Sequence, residues 1–328
     1  MFFMGIDVSK DKLDVCLLAD ETRPTAIFDN TKDGWKSLRN WLKKRAKKQS
    51  GHICLEATGR YGDGVTMFLH EAGYIVSVVN PNMIKQFGGS QLTRNKTDQI
   101  DALLIAEFCQ ERHQKLTVWI PPSPQQTRLT QLSRHLEDLE KMRQQEKNRL
   151  ASGSHEPDVQ RRLTEHIAFI EAQINEVKQT IDEHIDQHPD LREKRDLMVS
   201  IKGIGKLTAA KLLAEIRNIA DFDSPNQLVA FAGLNPKQRK SGKSVRGKSR
   251  LSKMGHASIR AALYMPAISA KNFNPIMQPL VERLTQRGHC KMSIIGAVMR
   301  KLLHLVYGIL KSGQPFDPNY LKKQAIYA

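Results

Sequence analysis

The sequence predicts an α/β protein: a mixed sheet with helices on both faces, then an antiparallel coiled-coil hairpin, then a mainly α-helical C-terminal domain. Two patterns lead to this fold class. Strand-like segments follow one another through residues 2–30, and helix and strand patterns then alternate up to residue 111. Leucine and isoleucine recur at intervals of three and four between residues 129 and 185, which is typical of a coiled coil. We therefore predict three domains, at residues 1–120, 121–190 and 191–328.

The first domain is predicted to contain five strands. FFMGID, KLDVCLLA and TAIFDN form a meander, and HICLEA and YIVSVVNP follow, with the helices DGWKSLRNWLKKRAKK and GDGVTMFLHEAG before each of them. The fifth strand is apolar almost throughout, as expected of a strand that is buried on both faces. A further helix begins at Asp98 and runs to about Glu111. In such a mixed sheet the first and fourth strands can lie side by side.

The central segment is predicted to form two long antiparallel helices between Arg128 and about Gln187. Three prolines in WIPPSPQQ end the preceding pattern, and ASGSHEP separates the two apolar runs as a hairpin loop would. The apolar seam includes Val159 and ends at Ile185. A spacer and a dimerisation arm both agree with this pattern.

The chain carries a large excess of positive charge, with 51 lysines and arginines against 34 acidic residues and a formal net charge of +17. Such self-repulsion favours a polyanionic partner, and nucleic acid is the leading class. An acidic membrane surface fits less well, because no basic helix has a clean apolar face. The longest apolar segment, SIIGAVMRKLLHLVYGIL, is interrupted by Arg300, Lys301 and His304, which predicts an amphipathic or buried helix rather than a membrane span.

The four cysteines are scattered without the spacing of zinc ligands, and Cys16, Cys54 and Cys109 lie in apolar runs. Buried thiols agree with a reducing cytosol, which predicts a cytoplasmic protein. The first residues, MFFMGIDVSK, lack the basic segment and the apolar core of a signal peptide.

Four acidic residues are candidates for a metal site. Asp7 ends the first strand and Glu56 ends the fourth. Asp98 and Asp101 share one helix face, with Cβ atoms about 5–6 Å apart. If the helix packs across the two strands, the four carboxylates meet, and their mutual repulsion calls for a cation. Mg²⁺ prefers such oxygen ligands, and two ions roughly 3.5–4 Å apart would clamp the attacking and leaving oxygens of a phosphate.

Three of the four acids have a simpler explanation when each is taken alone. Asp98 and Asp101 favour a helix N-terminus through its dipole, and this is the better explanation of TDQID by itself. Asp7 suits a turn, whereas a carboxylate at a strand end before ATG, as at Glu56, is harder to explain structurally. The set of four is far more specific than any member.

The segment IKGIGKLTAAKLL matches the helix-hairpin-helix pattern. Gly203 and Gly205 permit a tight turn and expose backbone N–H groups at the start of a helix that opens with Lys206, where a phosphate can bind. Similar hairpins also serve only as packing corners.

The most basic stretch of the chain follows. No acid occurs between Ser224 and Val281, and KQRKSGKSVRGKSRLSKMGH interleaves cations with serine and glycine. This composition favours phosphate binding over a merely solvated loop. The candidate nucleic-acid contacts in this basic loop are Lys237, Arg239, Lys240, Lys243, Arg246, Lys248, Arg250 and Lys253.

Serine hydroxyls in this basic loop are candidate nucleophiles, because neighbouring cations stabilise an alkoxide and a developing phosphorane. The chemistry alone does not choose among them. They are Ser241, Ser244, Ser249 and Ser252.

Several long motifs occur in order along nearly the whole chain. They are GIDVSKDKLDV, ICLEATGRYG, VSVVNPNMIKQFGGSQLTRNKTDQIDALLIAEFC, IKGIGKLTAAKLLAEI, FAGLNPKQRKSGKSVRGKSRLSKMGHASIRAALYMPA and KLLHLVYGILKSGQPFD. Together they resemble the DEDD-motif insertion-sequence transposases, a group that includes the Piv and MooV DNA invertases.

The resemblance implies a fold and a mechanism. The fold is a RuvC- or ribonuclease-H-like domain, a coiled coil and a C-terminal transposase domain. The DEDD acids of the family match Asp7, Glu56, Asp98 and Asp101, which would bind Mg²⁺. The serine of its SG step matches Ser241, which would attack DNA and form a covalent 5′-phosphoserine intermediate.

The resemblance also implies partners. In the family the acidic site of one protomer is thought to work with the serine of another, which implies a homo-oligomer, a dimer or a tetramer. Members of the family are guided by a structured RNA that pairs with target and donor DNA. The resemblance therefore also implies a bacterial cytoplasmic protein that acts on DNA at the nucleoid. Two other functions remain open: a junction-resolvase-like metal nuclease that activates water, and a nucleic-acid-binding protein without activity.

Overall fold

The computed structural model describes residues 1–19, 22–46, 49–57, 59–90, 98–153, 156–241 and 245–319. The chain divides into two compact units, Met1–Pro121 and Pro122–Ala328. Residues from both of the later predicted domains share one apolar core in the second unit, and the boundary at residue 190 stays a prediction.

The first unit is built on a five-stranded mixed sheet. Its strands are β1 Phe2–Val8, β2 Lys12–Leu18, β3 Thr25–Asp29, β4 Gly51–Glu56 and β5 Ile75–Val79. Their spatial order is β3-β2-β1-β4-β5. The meander of β1, β2 and β3 is antiparallel, whereas β4 runs parallel to both β1 and β5. The predicted mixed sheet, with the first and fourth strands side by side, is confirmed.

Alternation along β1 divides its apolar residues between the two faces of the sheet. The helices of this unit are α1 Lys32–Ala46, α2 Asp63–Glu71, α3 Pro81–Ser90 and α4 Asp98–Arg112. Phe2, Met4 and Ile6 belong to the core formed with α1 and α2, while Phe3 belongs to the core formed with α3 and α4. Helices therefore cover both faces, as predicted.

Two details of this unit differ from the prediction. β5 is an edge strand, and Ile75 and Val78 are each 41% exposed, so the strand is not buried on both faces. The chain beyond α4 runs beside it, where the Trp119 amide donates to the Val76 carbonyl at 2.7 Å. The sequence pattern also misses α3, whose apolar positions are few.

Helix α4 lies directly against β1 at Gly5. A Cβ atom at this position would overlap the carbonyl oxygen of Ala102 and the amide nitrogen of Ala106. Glycine is needed here because no side chain fits between the two backbones. This approach fixes the distance between α4 and the strands that carry two of the predicted acids.

Replacing Gly5 by alanine is expected to destabilise the first unit by about 3 kcal/mol or more, because the overlap is with backbone atoms that cannot rotate away. Thermal unfolding measures the effect. Gly62→Ala is the control, since a Cβ added there meets nothing within 4 Å. Equal, small shifts in both variants would contradict the close approach.

The second unit is mainly helical. Its helices are α5 Pro124–Ala151, α6 Pro157–Asp186, α7 Pro189–Val199, α8 Lys206–Ile216, α9 Pro225–Phe231, α10 Ala257–Phe273, α11 Gln278–Gln286 and α12 Lys291–Ser312. The long helices α5 and α6 are antiparallel: Lys147 pairs with Glu171 near their connection, and His184 contacts the Gln125 carbonyl near the other end. Val159 is 45% exposed, so the apolar seam is shorter than predicted. Coiled-coil packing in the strict sense stays a prediction.

The predicted basic loop is a β-hairpin. Its strands, β6 Pro236–Ser241 and β7 Val245–Leu251, pair in an antiparallel ladder with a register shift between Lys237 and Arg239. The ladder gives the basic residues of both strands fixed backbone positions.

In the described part of the chain, one helix, α12, is long and apolar enough by length and composition to cross a membrane. Core helices of globular proteins meet the same criterion. Val298, Leu302 and Val306 of α12 are fully buried in the core of the second unit. This packing agrees with the predicted amphipathic or buried helix.

Candidate active site and nucleic-acid interface

Helix α4 runs antiparallel to β1 and β4. Where these strands begin, the ring of Phe3 lies 4.9 Å from that of His113, just beyond α4, and the Cys109 thiol donates to the His52 carbonyl at 3.5 Å. The end of α4 therefore lies over the beginnings of the two strands. Its first residue, Asp98, consequently lies toward the edge where the strands end.

Asp7 and Glu56 stand at neighbouring strand ends. They occupy the position after the last pair in the parallel ladder between β1 and β4. Alternation puts both on the face that α4 covers, and both are half-buried. Asp98 and Asp101 lie in the first turn of that helix, where the side chain of Asp98 is 56% exposed. The structure thus carries the four predicted acids to one edge of the sheet, which we call the acidic edge.

Two further charged residues at the acidic edge escape the sequence analysis. The ammonium nitrogen of Lys12 lies 2.7 Å from Asp98 Oδ2 and 3.1 Å from Asp14 Oδ2. Asp14 stands directly opposite Asp7 in the pairing of β1 with β2, and its side chain is only 4% exposed. The hydrogen bond to Asp98, and then that to Asp14, raises the pKa of Lys12. The sequence does contain a signal for these two residues, because Lys12 and Asp14 are charged residues at alternate positions of an otherwise apolar strand.

Further along the same face, His52, Cys54 and Cys109 are buried, with potential ligand atoms all within 4.8 Å of one another. Among the described side chains, these three form the group of potential metal ligands that lie this close together. The ligand atoms of the four acids do not all lie within that distance of one another. The hydrogen bond with Cys109 and burial raise the pKa of Cys54, so it stays a thiol. The prediction of buried thiols, Cys16 included, is confirmed.

His52 is held as a neutral imidazole. Burial, and to a lesser extent the nearby His113, lowers its pKa. Its Nε2 lies 2.8 Å from the Ser77 hydroxyl, which donates its own proton to the Thr117 carbonyl. The imidazole therefore donates from Nε2.

The first unit is expected to lose stability as the pH falls from about 7.5 to about 5.5. The unfolded chain accepts a proton on His52 near pH 6.5, whereas the folded chain resists it. The stabilisation is therefore complete well above the unfolded pKa and is lost progressively as the pH falls through it. Melting temperatures measured across this range should fall less in His52→Gln than in the parent, and equal falls would contradict the assignment.

Gly203 and Gly205 have different surroundings. Gly203 has a φ of +107°, and a Cβ added there would lie 2.8 Å from the Cβ of Ala270, so this side of the turn packs against α10. Gly205 precedes α8 and, like Lys206, is exposed, with nothing within 4 Å of an added Cβ. The turn is a packing corner at Gly203, while Gly205 and Lys206 remain candidate phosphate contacts. The helix-hairpin-helix assignment stays a prediction.

The β6–β7 hairpin brings basic positions opposite one another. Lys240 is paired with Arg246, and Lys237 with Arg250. Directly opposed like charges, as at Lys237 and Arg250, destabilise a strand pair, so a polyanion that compensates them would suit this hairpin. Lys237, Arg250 and the following Lys253 are exposed.

Ser241 is the last residue of β6, where it pairs with Val245 of β7. Arg239 and Lys248 lie within the two strands. The predicted contact Lys243 and the candidate nucleophile Ser244 lie outside the described residues.

Two transposase family profiles match the chain. A DEDD transposase profile of the IS110 type covers residues 4–153, and a profile described as transposase IS116/IS110/IS902 family covers residues 195–282. The first spans the four acids and the second spans the β6–β7 hairpin. A pilin gene-inverting protein of Moraxella bovis is 32% identical over 317 residues, which are 96% of this chain and 97% of that protein. The chain belongs to the IS116/IS110/IS902 family of transposases.

Family membership confirms the resemblance and the prediction of a DNA-processing enzyme of the transposase and recombinase class. A putative transposase of Sinorhizobium fredii, y4qE, is 23% identical over 279 residues, covering 80% of this transposase and 70% of its own length. Among solved structures, T. thermophilus RuvC in complex with Holliday junction substrate matches 36% of this chain and 99% of its own. Its identity is 15% and its TM-score is 0.28, which is too low to support a conclusion.

Proposed function

We propose that this transposase breaks and rejoins DNA with a Mg²⁺-binding acidic site and a serine nucleophile. The acidic site comprises Asp7, Glu56, Asp98 and Asp101, and the nucleophile is Ser241. The observation that carries the proposal is the meeting of β1, β4 and the first turn of α4 at the acidic edge. The DEDD transposase profile, which spans all four acids, supports the same assignment.

The acidic edge suits a hard divalent cation. All four proposed ligands are carboxylates, and Mg²⁺ takes oxygen ligands while keeping several waters. Asp98 is 56% exposed and the other three are half-buried, so water and phosphate oxygens have access. Bound Mg²⁺, proposed as two ions per site, would polarise the scissile phosphate and activate the attacking oxygen.

Ser241 would supply that attacking oxygen. Its Oγ forms a bond to phosphorus as the bond from phosphorus to the 3′ oxygen breaks, which leaves a 5′-phosphoserine and a free 3′-hydroxyl. A second 3′-hydroxyl then attacks the phosphoserine and releases the serine, so strands are exchanged without net hydrolysis. A serine hydroxyl is a weak nucleophile, and the cations of the β6–β7 hairpin would stabilise its alkoxide.

The partners proposed are DNA, as element ends and target, and a structured guide RNA. The β6–β7 hairpin, with Gly205 and Lys206, would contact their phosphates, and the resulting release of counterions makes binding sensitive to salt. The acids belong to the first unit and Ser241 to the second. We propose a homo-oligomer, dimer or tetramer, in which the acids of one protomer serve the serine of another.

Incubation of the full chain with its element ends, guide RNA and Mg²⁺ tests the proposal. A denaturing gel should reveal DNA joined to protein through its 5′ end. Free 5′-phosphate ends with no attached protein would instead select a nuclease that activates water. Binding without cleavage, whatever the metal, would select a nucleic-acid-binding protein without activity.

A further inference from the structure

Lys12 places an ammonium group among the carboxylates of the acidic edge. It begins β2, which lies beside β1, and it reaches across to the first residue of α4. Its nitrogen contacts Asp98 Oδ2 at 2.7 Å and Asp14 Oδ2 at 3.1 Å. One lysine therefore links a carboxylate of the sheet to a proposed metal ligand.

The two ion pairs of Lys12 differ in burial, and this difference decides which is the more easily broken. The Asp14 side chain is 4% exposed, so the loss of its cation would leave a buried charge uncompensated. The Asp98 side chain is 56% exposed, so water can solvate it when its partner changes. We therefore expect the ion pair of Lys12 with Asp14 to persist, whereas another cation can replace Lys12 at Asp98.

The backbone positions of the three residues support the same difference between the two ion pairs. Lys12 and Asp14 occupy alternate positions of one strand, so their side chains lie on the same face whatever α4 does. Asp98 belongs to a separate helix and lies 86 positions away in the chain. Lys12 can leave Asp98 without leaving the sheet.

We infer that Lys12 is the resident counter-ion of the acidic edge: it competes with the divalent cation for Asp98, and it remains on Asp14 when the cation binds. The inference rests on the proposed function, because it takes Asp98 as a metal ligand. Two cations on one carboxylate repel each other, so the ammonium group gives way. Lys12 thereby lowers the affinity of the acidic edge for the divalent cation.

Mn²⁺ binding to the full chain tests this role without any measurement of activity. Binding is measured as the decrease in the electron paramagnetic resonance signal of free Mn²⁺. Lys12→Met is expected to raise the affinity about fivefold, the effect of removing one exposed competing ion pair. Lys12→Arg, which keeps the charge, should bind as the parent does. Lys10→Met removes the same charge from an exposed position two residues earlier and should change the affinity less than about twofold.

A double variant is needed because Lys12→Met alone leaves Asp14 buried without its cation and can destabilise the fold. Lys12→Met combined with Asp14→Asn removes both charges, leaves the net charge unchanged, and should also raise the affinity. Circular dichroism confirms that each variant is folded. Asp98→Asn should abolish the Mn²⁺ binding in question, which assigns it to the acidic edge.

The possible results separate the two ideas. An affinity that is unchanged or lower in Lys12→Met and also in Lys12→Met combined with Asp14→Asn, with Asp98→Asn still abolishing binding, would overturn the role of Lys12 and leave the metal site intact. If no variant shows Mn²⁺ binding that depends on Asp98, both the metal site and the inference are wrong. A rise as large in Lys10→Met would reduce the effect to general electrostatics and would also overturn the inference.

Discussion

Replacing Asp101 by asparagine, or Glu56 by glutamine, is expected to lower the rate of DNA strand exchange by about a thousandfold or more. Each substitution keeps the size of the side chain and removes a negative charge that would hold a divalent cation. Such a cation supplies several kcal/mol of transition-state stabilisation, and each 1.36 kcal/mol is about tenfold in rate. Rates of strand exchange on element ends at saturating Mg²⁺ measure the loss.

Glu111→Gln is the matched control, because this acid lies on the same helix but at its opposite end and is exposed. It should exchange strands at the parental rate. DNA binding in low salt should persist in all three variants, since the proposed phosphate contacts lie in the other unit. If the Glu56 and Asp101 variants still exchange strands normally, the acidic edge is not the catalytic site.

Replacing Ser241 by alanine is expected to eliminate the protein–DNA adduct and to reduce strand exchange by roughly 10⁴-fold or more, because no other group would supply the attacking oxygen. The assay is a denaturing gel on a nicked substrate, which traps the covalent intermediate. Affinity for DNA should stay within about twofold of the parental value, since a hydroxyl contributes no charge to the electrostatic attraction.

Ser249→Ala and Ser252→Ala are the controls, because both serines lie among the same cations. Chemistry alone makes each of them a candidate nucleophile. Both variants should form the adduct. An adduct that survives in Ser241→Ala and disappears in one of these variants would move the nucleophile to that serine.

The layout of the first unit follows from its sequence because the patterns there are local. Alternation along β1 assigns Phe2 and Phe3 to opposite faces, and the short turns of the meander fix which strands are neighbours. The fifth strand shows the limit of this reasoning. An apolar run reveals that a strand is partly buried, but not how many strands flank it, so the edge position of β5 could not be read from it.

Lys12 and Asp14 could not be assigned to the acidic edge from the sequence alone. Their position depends on the register between β1 and β2, and a slip of one residue would place both on the opposite face. The contact with Asp98 spans 86 positions and exists only once α4 has packed. A charged pair in an apolar strand is a signal that something must compensate it, and only the fold shows what.

The sequence predicts a loop at the β6–β7 hairpin, because its strands lack apolar alternation and are rich in serine, glycine and cations. Its base is nevertheless held by the core. Leu251 packs against α12 close to Gly296, and the Ser252 amide donates to the Asn235 carbonyl at 2.8 Å. Tertiary contacts at one end thus impose strand geometry on a segment whose own propensity is weak.

At Gly5 the backbones of α4 and β1 are in direct contact, so the helix and the sheet cannot come closer together there. Substitutions elsewhere in the core can thicken or thin the layers around it, but they cannot draw these two backbones closer. The reach of each carboxylate above the sheet then depends on the number of its own methylene groups. The four carboxylates proposed as metal ligands are therefore protected from substitutions that would thin the core elsewhere, because the helix and the sheet are already in backbone contact at Gly5.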